Sequence, residues 1–136
     1  MPSLKEEIFM RRALFVVFFT GSIFASPYFT NGFVKPGTYE FVGKDIQGAP
    51  YSGRMIIETC GENYKVTWKE NFRVLSTGIG ILRGEIFSVS FCDLDGSNGI
   101  VSYEMISNYE MEGGWARMNG ESRGIERLNF ISPNLD

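Results

Sequence analysis

The stretch Gly61–Glu70, GENYKVTWKE, alternates residue by residue. Tyr64, Val66 and Trp68 fall on one side, and Lys65, Thr67 and Lys69 on the other. A period of two with one apolar side is the pattern of a β-strand that buries one face. The Gly61–Glu62 pair before it has the length and chemistry of a tight hairpin turn. It sets Thr59 opposite Tyr64, Ile57 opposite Val66 and Met55 opposite Trp68.

Outward from this hairpin, short alternating runs recur at 8- to 12-residue spacing, which is the spacing of an all-β sandwich or barrel. Eight strands are predicted: Gly37–Gly43, Tyr51–Cys60, Asn63–Lys69, Arg73–Leu82, Glu85–Cys92, Gly99–Ile106, Met111–Met118 and Gly124–Ile131. No link between them is long enough for a helical crossover, so neighbours pair antiparallel. An eight-stranded meander leaves two bare edges unless it closes. The expected fold is therefore an all-β, eight-stranded antiparallel up-and-down barrel, with an open sandwich as the alternative.

A two-residue turn at Arg83–Gly84 sets Gly80 opposite Phe87 and Gly78 opposite Val89. The inner face then carries Tyr51, Tyr64, Trp68, Phe87, Phe91, Tyr103 and Trp115. Leu75, Ile79, Ile81 and Ile86 point outward, with Ile81 facing Ile86, and form a candidate surface for a partner or a second copy. Cys60 ends the second strand and Cys92 the fifth, at opposite rims of a meander, so no disulfide joins them within one chain.

The N-terminus has a different character. Arg11 and Arg12 precede an apolar run from Ala13 to about Phe24, followed by Ala25 and Ser26. This is the pattern of a secretory signal cleaved after Ala25, with translation starting at Met1 or Met10. The run is interrupted by Thr20, Gly21 and Ser22 and is short for a membrane span. It predicts a signal peptide over 1–25, a barrel domain over 26–136 and a periplasmic or secreted protein. Lys5, Arg11, Arg12, Glu6 and Glu7 fall in the leader, leaving 10 basic and 14 acidic residues. An acidic chain without a basic cluster argues against a nucleic-acid partner.

The segments YSGRMII (51–57), YKVTW (64–68), GIGILRGEIFSVSF (78–91), GIVSYEM (99–105), MEGGW (111–115) and GIERL (124–128) resemble small exported bacterial β-barrel proteins, some labelled fibronectin-binding. The resemblance covers most of Gly37 to Leu128. It implies an avidin-like or lipocalin-like shape. No residue-by-residue match to a biotin site accompanies it, so biotin binding is not implied, and fold alone does not define function.

The sequence has no histidine. Histidine-based acid–base pairs, Ser–His triads and imidazole metal ligands are thereby excluded, and no enzymatic activity and no cofactor are expected. Asp93 and Asp95 in CDLDGSNG (92–99) lie near each other like the start of a calcium loop, but later ligands of that motif are missing and a turn explains the same residues. Arg117 and Glu126 lie on the inner face. If Trp115 pairs with Leu128, Arg117 meets Glu126 as a cross-strand ion pair, either structural or an anchor for a polar ligand group. Gly78 and Gly80 leave gaps that rings fill or that open a pocket.

Two modes of binding follow. One is a module contacting a protein partner, or itself, through the outer apolar strip and loops. The other is a carrier of a small apolar ligand, held in the interior by Tyr64, Trp68, Tyr103, Trp115, Arg117 and Glu126.

Overall fold

The structure, a computed structural model, describes residues 32–135. The expected leader and the boundary at residue 25 lie outside the described residues. Eight strands are found in this region: β1 Gly37–Asp45, β2 Pro50–Cys60, β3 Asn63–Glu70, β4 Arg73–Arg83, β5 Ile86–Asp93, β6 Asn98–Ser107, β7 Glu110–Arg117 and β8 Arg123–Ser132. Each pairs antiparallel with the next, and β1 also pairs with β8, so the sheet closes into a barrel in sequence order. Closure satisfies the backbone groups that an open meander would leave at its edges.

The period-two pattern puts the predicted rings inside. Tyr39, Phe41, Met55, Ile57, Val66, Trp68, Phe87, Val89, Phe91, Val101, Tyr103, Met111 and Leu128 form the core. In the β2–β3 hairpin, Met55 faces Trp68, Ile57 faces Val66 and Thr59 faces Tyr64, as the Gly61–Glu62 turn requires.

Two other hairpins differ in register. The β4–β5 turn is Gly84–Glu85 with Arg83 opposite Ile86, so Leu82 meets Phe87, Gly80 meets Val89 and Gly78 meets Phe91. This slip of two residues keeps every side chain on its expected face but changes its partner, because the side-chain period is two. Ile81 accordingly faces Ser88 rather than Ile86. The β7–β8 hairpin centres on Asn119–Gly120, where Gly120 has φ 74° and the Asn119 side chain accepts from the N–H groups of Glu121 and Ser122. Trp115 therefore pairs with Gly124, and Leu128 with Met111.

A bulge corrects one facing. Between Trp68 and Lys69 the register against β4 shifts, with Trp68 opposite Ser76 and Lys69 opposite Val74. Leu75 is the extra residue and packs against the core instead of pointing out; a bulge re-aims a side chain in this way. Ile79, Ile81 and Ile86 remain exposed on the outer face, joined by Ile100 on β6.

One end of the barrel is plugged. The chain entering β1 buries Val34 completely, and the Val34 N–H donates to the Tyr64 hydroxyl at 3.0 Å. The Tyr39 hydroxyl donates to the Lys35 carbonyl at 2.6 Å, and the Lys35 ammonium lies 4.4 Å from the centre of the Phe130 ring. Cys60 and Cys92 are free and exposed. Cys60 pairs with Asn63 beside the β2–β3 turn and Cys92 with Asn98 beside the β5–β6 turn, at opposite rims as the meander demands.

Candidate functional site

The other end of the barrel, beneath the β1–β2, β3–β4, β5–β6 and β7–β8 turns, is hollow. A cup of about 420 Å³ opens there, walled by Phe41, Tyr51, Trp68, Phe91 and Trp115. Leu75, Ser76, Val101 and the charged residues Asp45, Asp93, Arg117 and Glu126 complete its lining. The volume is in the range of small-molecule sites.

Glycines account for the space. Four of the five wall rings lie directly across from a glycine on a neighbouring strand: Phe41 from Gly53, Tyr51 from Gly43, Phe91 from Gly99 and Trp115 from Gly124. A Cβ at Gly53 would fall 2.6 Å from the Phe41 ring, and one at Gly124 would fall 2.6 Å from the Trp115 ring. Each ring thus lies down on its neighbour's bare backbone and leaves the lumen open. The same pairing stabilises strand glycines, which have no side chain to pack.

At the mouth, Arg117 binds Asp93 with N–O distances of 2.8 and 3.0 Å, and Ser76 donates to the same carboxylate on its other oxygen. The guanidinium lies over two wall rings, 4.9 Å from the Trp115 centroid and 5.8 Å from that of Phe91. The Trp115 indole N–H donates to the Tyr51 hydroxyl at 2.6 Å, and that hydroxyl donates to the Ile125 carbonyl at 3.1 Å.

Glu126 forms the base of the cup, two cross-strand pairs deeper than Trp115 and Gly124 and so on the same inward face. It is 6% exposed. Tyr103 donates to its Oε2, and the Trp68 indole N–H reaches the same oxygen at 3.3 Å. Burial pushes its pKa above the ordinary carboxylate value, with the hydrogen bonds from Tyr103 and Trp68 opposing the rise. Burial and the Glu126 charge push the Tyr103 and Tyr51 hydroxyls above the usual tyrosine range. Among the described residues only neutral donors hold this buried carboxyl, which makes it costly to ionise.

The expected Arg117–Glu126 pair does not form. With the β7–β8 hairpin centred on Asn119–Gly120, Glu126 pairs with Gly113, and Arg117 pairs with Gly99 of β6, within reach of Asp93. Of the interior residues predicted for a ligand, Trp68, Trp115, Arg117 and Glu126 line the cup. Tyr103 lies buried against the Glu126 carboxyl, and Tyr64 sits at the plugged end, edge-on to Phe87 at 5.4 Å. Tyr51, Phe41 and Phe91 were not singled out as ligand-facing; the signal that marks them is a glycine in the cross-strand position, readable only once registers are fixed. Asp95 accepts from the Ser97 N–H at 2.8 Å inside its own turn, and Asp93 is committed to Arg117. Among the described residues no three His, Cys, Asp or Glu side chains converge as a metal site.

No protein-family model and no curated protein matches the chain. Solved structures share its architecture. A redesigned β-barrel superposes with a TM-score of 0.63 at 14% identity, over 72% of this chain and 92% of the other. A de novo designed fluorescence-activating β-barrel gives 0.58 at 17% identity, over 71% and 93%. A redesigned β-barrel bound to DFHBI gives 0.59 at 14% identity, over 70% and 97%. At these identities the likeness establishes the closed eight-stranded barrel and nothing of its use.

Proposed function

We propose that this protein is an exported, non-enzymatic barrel that binds a small ligand in the cup. The observation that carries this reading is the 420 Å³ space, walled by rings laid on glycines, with a buried carboxyl at its base. An apolar wall with a few converging polar groups is the usual make-up of a ligand pocket. Two of the similar designed barrels are bound to DFHBI, which supports the architecture as a small-ligand holder. Export rests on the signal pattern before Ser26; amino-terminal sequencing of protein from the culture's soluble fractions tests it, and an uncleaved Met1 or Met10 start argues against it.

The sequence contains two tryptophans, and both line the cup. Intrinsic emission is therefore a reporter of its occupancy. Native mass spectrometry of the protein purified from its own source should reveal a co-purifying small mass, and stripping that mass should change tryptophan emission. If neither the native material nor a panel of small aromatic compounds perturbs the emission, this reading fails.

A second reading, contact with a protein partner or a second copy, is favoured by the exposed Ile79, Ile81, Ile86 and Ile100 on the β4–β6 outer face. Serines interleave them: Ser90 lies between Ile79 and Ile100, and Ser88 opposite Ile81. Size-exclusion chromatography with light scattering tests self-association. A concentration-dependent dimer abolished by Ile79→Lys with Ile81→Lys supports it, and a monomer at high concentration removes it.

A further inference from the structure

The charges that line the cup are unequal. Asp45, Asp93 and Glu126 face it, with Arg117 as the single basic residue of its lining among the described residues. Arg117 is already neutralised by Asp93 at 2.8 Å. Asp45 is partly satisfied by the N–H groups of Gln47 and Ala49, both at 2.9 Å. Glu126 is the remaining acid, and its described partners are a phenol and an indole. The basic residue nearest in sequence turns away: Arg127 binds Glu112 at 2.8 Å and Glu110 at 3.4 Å on the outer face. Among the described residues, Glu126 is thus an acid with no base beside it.

The rings give a second, independent observation. The Arg117 guanidinium already lies over Trp115 and Phe91, so the faces of this wall accept a cation. Ring faces carry negative potential, and aromatic surrounds bind ammonium groups for that reason. Within the cup, a carboxylate and several ring faces reinforce one another on one positive centre.

Building on the small-ligand reading above, we propose that the cup takes a monovalent organic cation, an amine or quaternary ammonium borne on an apolar or aromatic body, with Glu126 as its counter-charge and the faces of Trp68 and Trp115 around it. The ligand supplies the positive charge that the fold withholds from Glu126. The apolar body then lies along Phe41, Phe91 and Val101 toward the mouth, where Arg117 and Asp93 cancel each other. An anionic ligand of the same shape meets Glu126 at the base and is rejected.

The test uses four probes of one shape: benzyltrimethylammonium, benzylamine, benzyl alcohol and benzoate, titrated into the intact barrel with tryptophan emission as readout. A cation–ring contact in a desolvated site, with the carboxylate behind it, predicts that at least one of the two cations binds about tenfold or more tighter than benzyl alcohol. Benzoate is expected to bind most weakly. In Glu126→Gln the advantage over benzyl alcohol, both probes being titrated into the same variant, should fall to about twofold. In the unaltered protein, the N-methyl protons of bound benzyltrimethylammonium should shift upfield in NMR, since they lie over ring faces; this arm does not depend on a variant folding. Equal binding of cation and alcohol, or a preference for benzoate, overturns the cation proposal and leaves the small-ligand reading standing. Failure of all four probes, together with no response to larger aromatic compounds, removes both.

Discussion

Tyr103 donates its hydroxyl proton to Glu126 Oε2 inside the barrel, where both residues are buried. The bond joins β6 to β8 across β7, which contributes Gly113 between them. Without a side chain at Gly113, the phenol and the carboxyl can meet over bare backbone. A Cβ there would collide with the backbone of Ser102 and Tyr103.

Glu126 makes stability depend on pH. Its folded pKa is raised above the ordinary 4.5 by burial. Its contribution to stability is therefore fully present below the unfolded value and is lost as pH rises through the folded value. The charged or titratable groups around it are Tyr51 on β2, Tyr103 on β6, Asp45 on β1, Asp93 on β5 and Arg117 on β7; the two tyrosines titrate far higher. Urea midpoints should show the native protein losing ground to Glu126→Gln as pH climbs from about 4.5. A constant difference across that range would contradict the uncompensated buried acid.

Substituting alanine for a wall glycine should both destabilise and fill. At Gly124 a Cβ meets the Trp115 ring at 2.6 Å and also crowds the Lys44 carbonyl. Overpacking of this kind costs about 1–3 kcal/mol. Gly124→Ala should lower the denaturant midpoint and shift tryptophan emission as Trp115 is pushed toward the lumen. Gly48→Ala, in a loop where a Cβ meets nothing within 4 Å, serves as a contrast for space but carries its own strain at φ 83°.

The plug should be worth measurable stability. Val34 is fully buried against the closed end. Val34→Ala removes two buried carbons, and the loss is expected to be about 2 kcal/mol from transfer and cavity terms together. Cup binding, at the other end, should be unaffected. A near-zero change in the unfolding midpoint would mean the segment does not hold the barrel shut.

Arg117→Met should leave the fold intact. The Arg117–Asp93 pair is part-exposed, and such pairs contribute roughly 0.2–1 kcal/mol. With the Arg117 charge gone, the cup becomes more acidic, so cationic probes should bind a few-fold tighter at low salt and the gain should shrink as salt rises. Weaker binding of the cations would show that Arg117 helps hold the ligand instead of opposing it.

Which side chains face inward was legible in the chain because β alternation is a local property: Tyr51, Trp68, Phe91 and Trp115 each declare their face by the residues two away. Strand count, antiparallel order and the separation of Cys60 from Cys92 follow from link lengths in the same local way. What the sequence did not disclose depends on lateral register. A turn centred on Asn119–Gly120 sent Arg117 to Asp93 and away from Glu126, and a bulge opposite Trp68 turned Leu75 inward. The hollow end was decided there too. An inward ring fills a barrel or clears it according to whether its cross-strand neighbour has a Cβ, and that neighbour is known only once the sheet has closed and its registers are set.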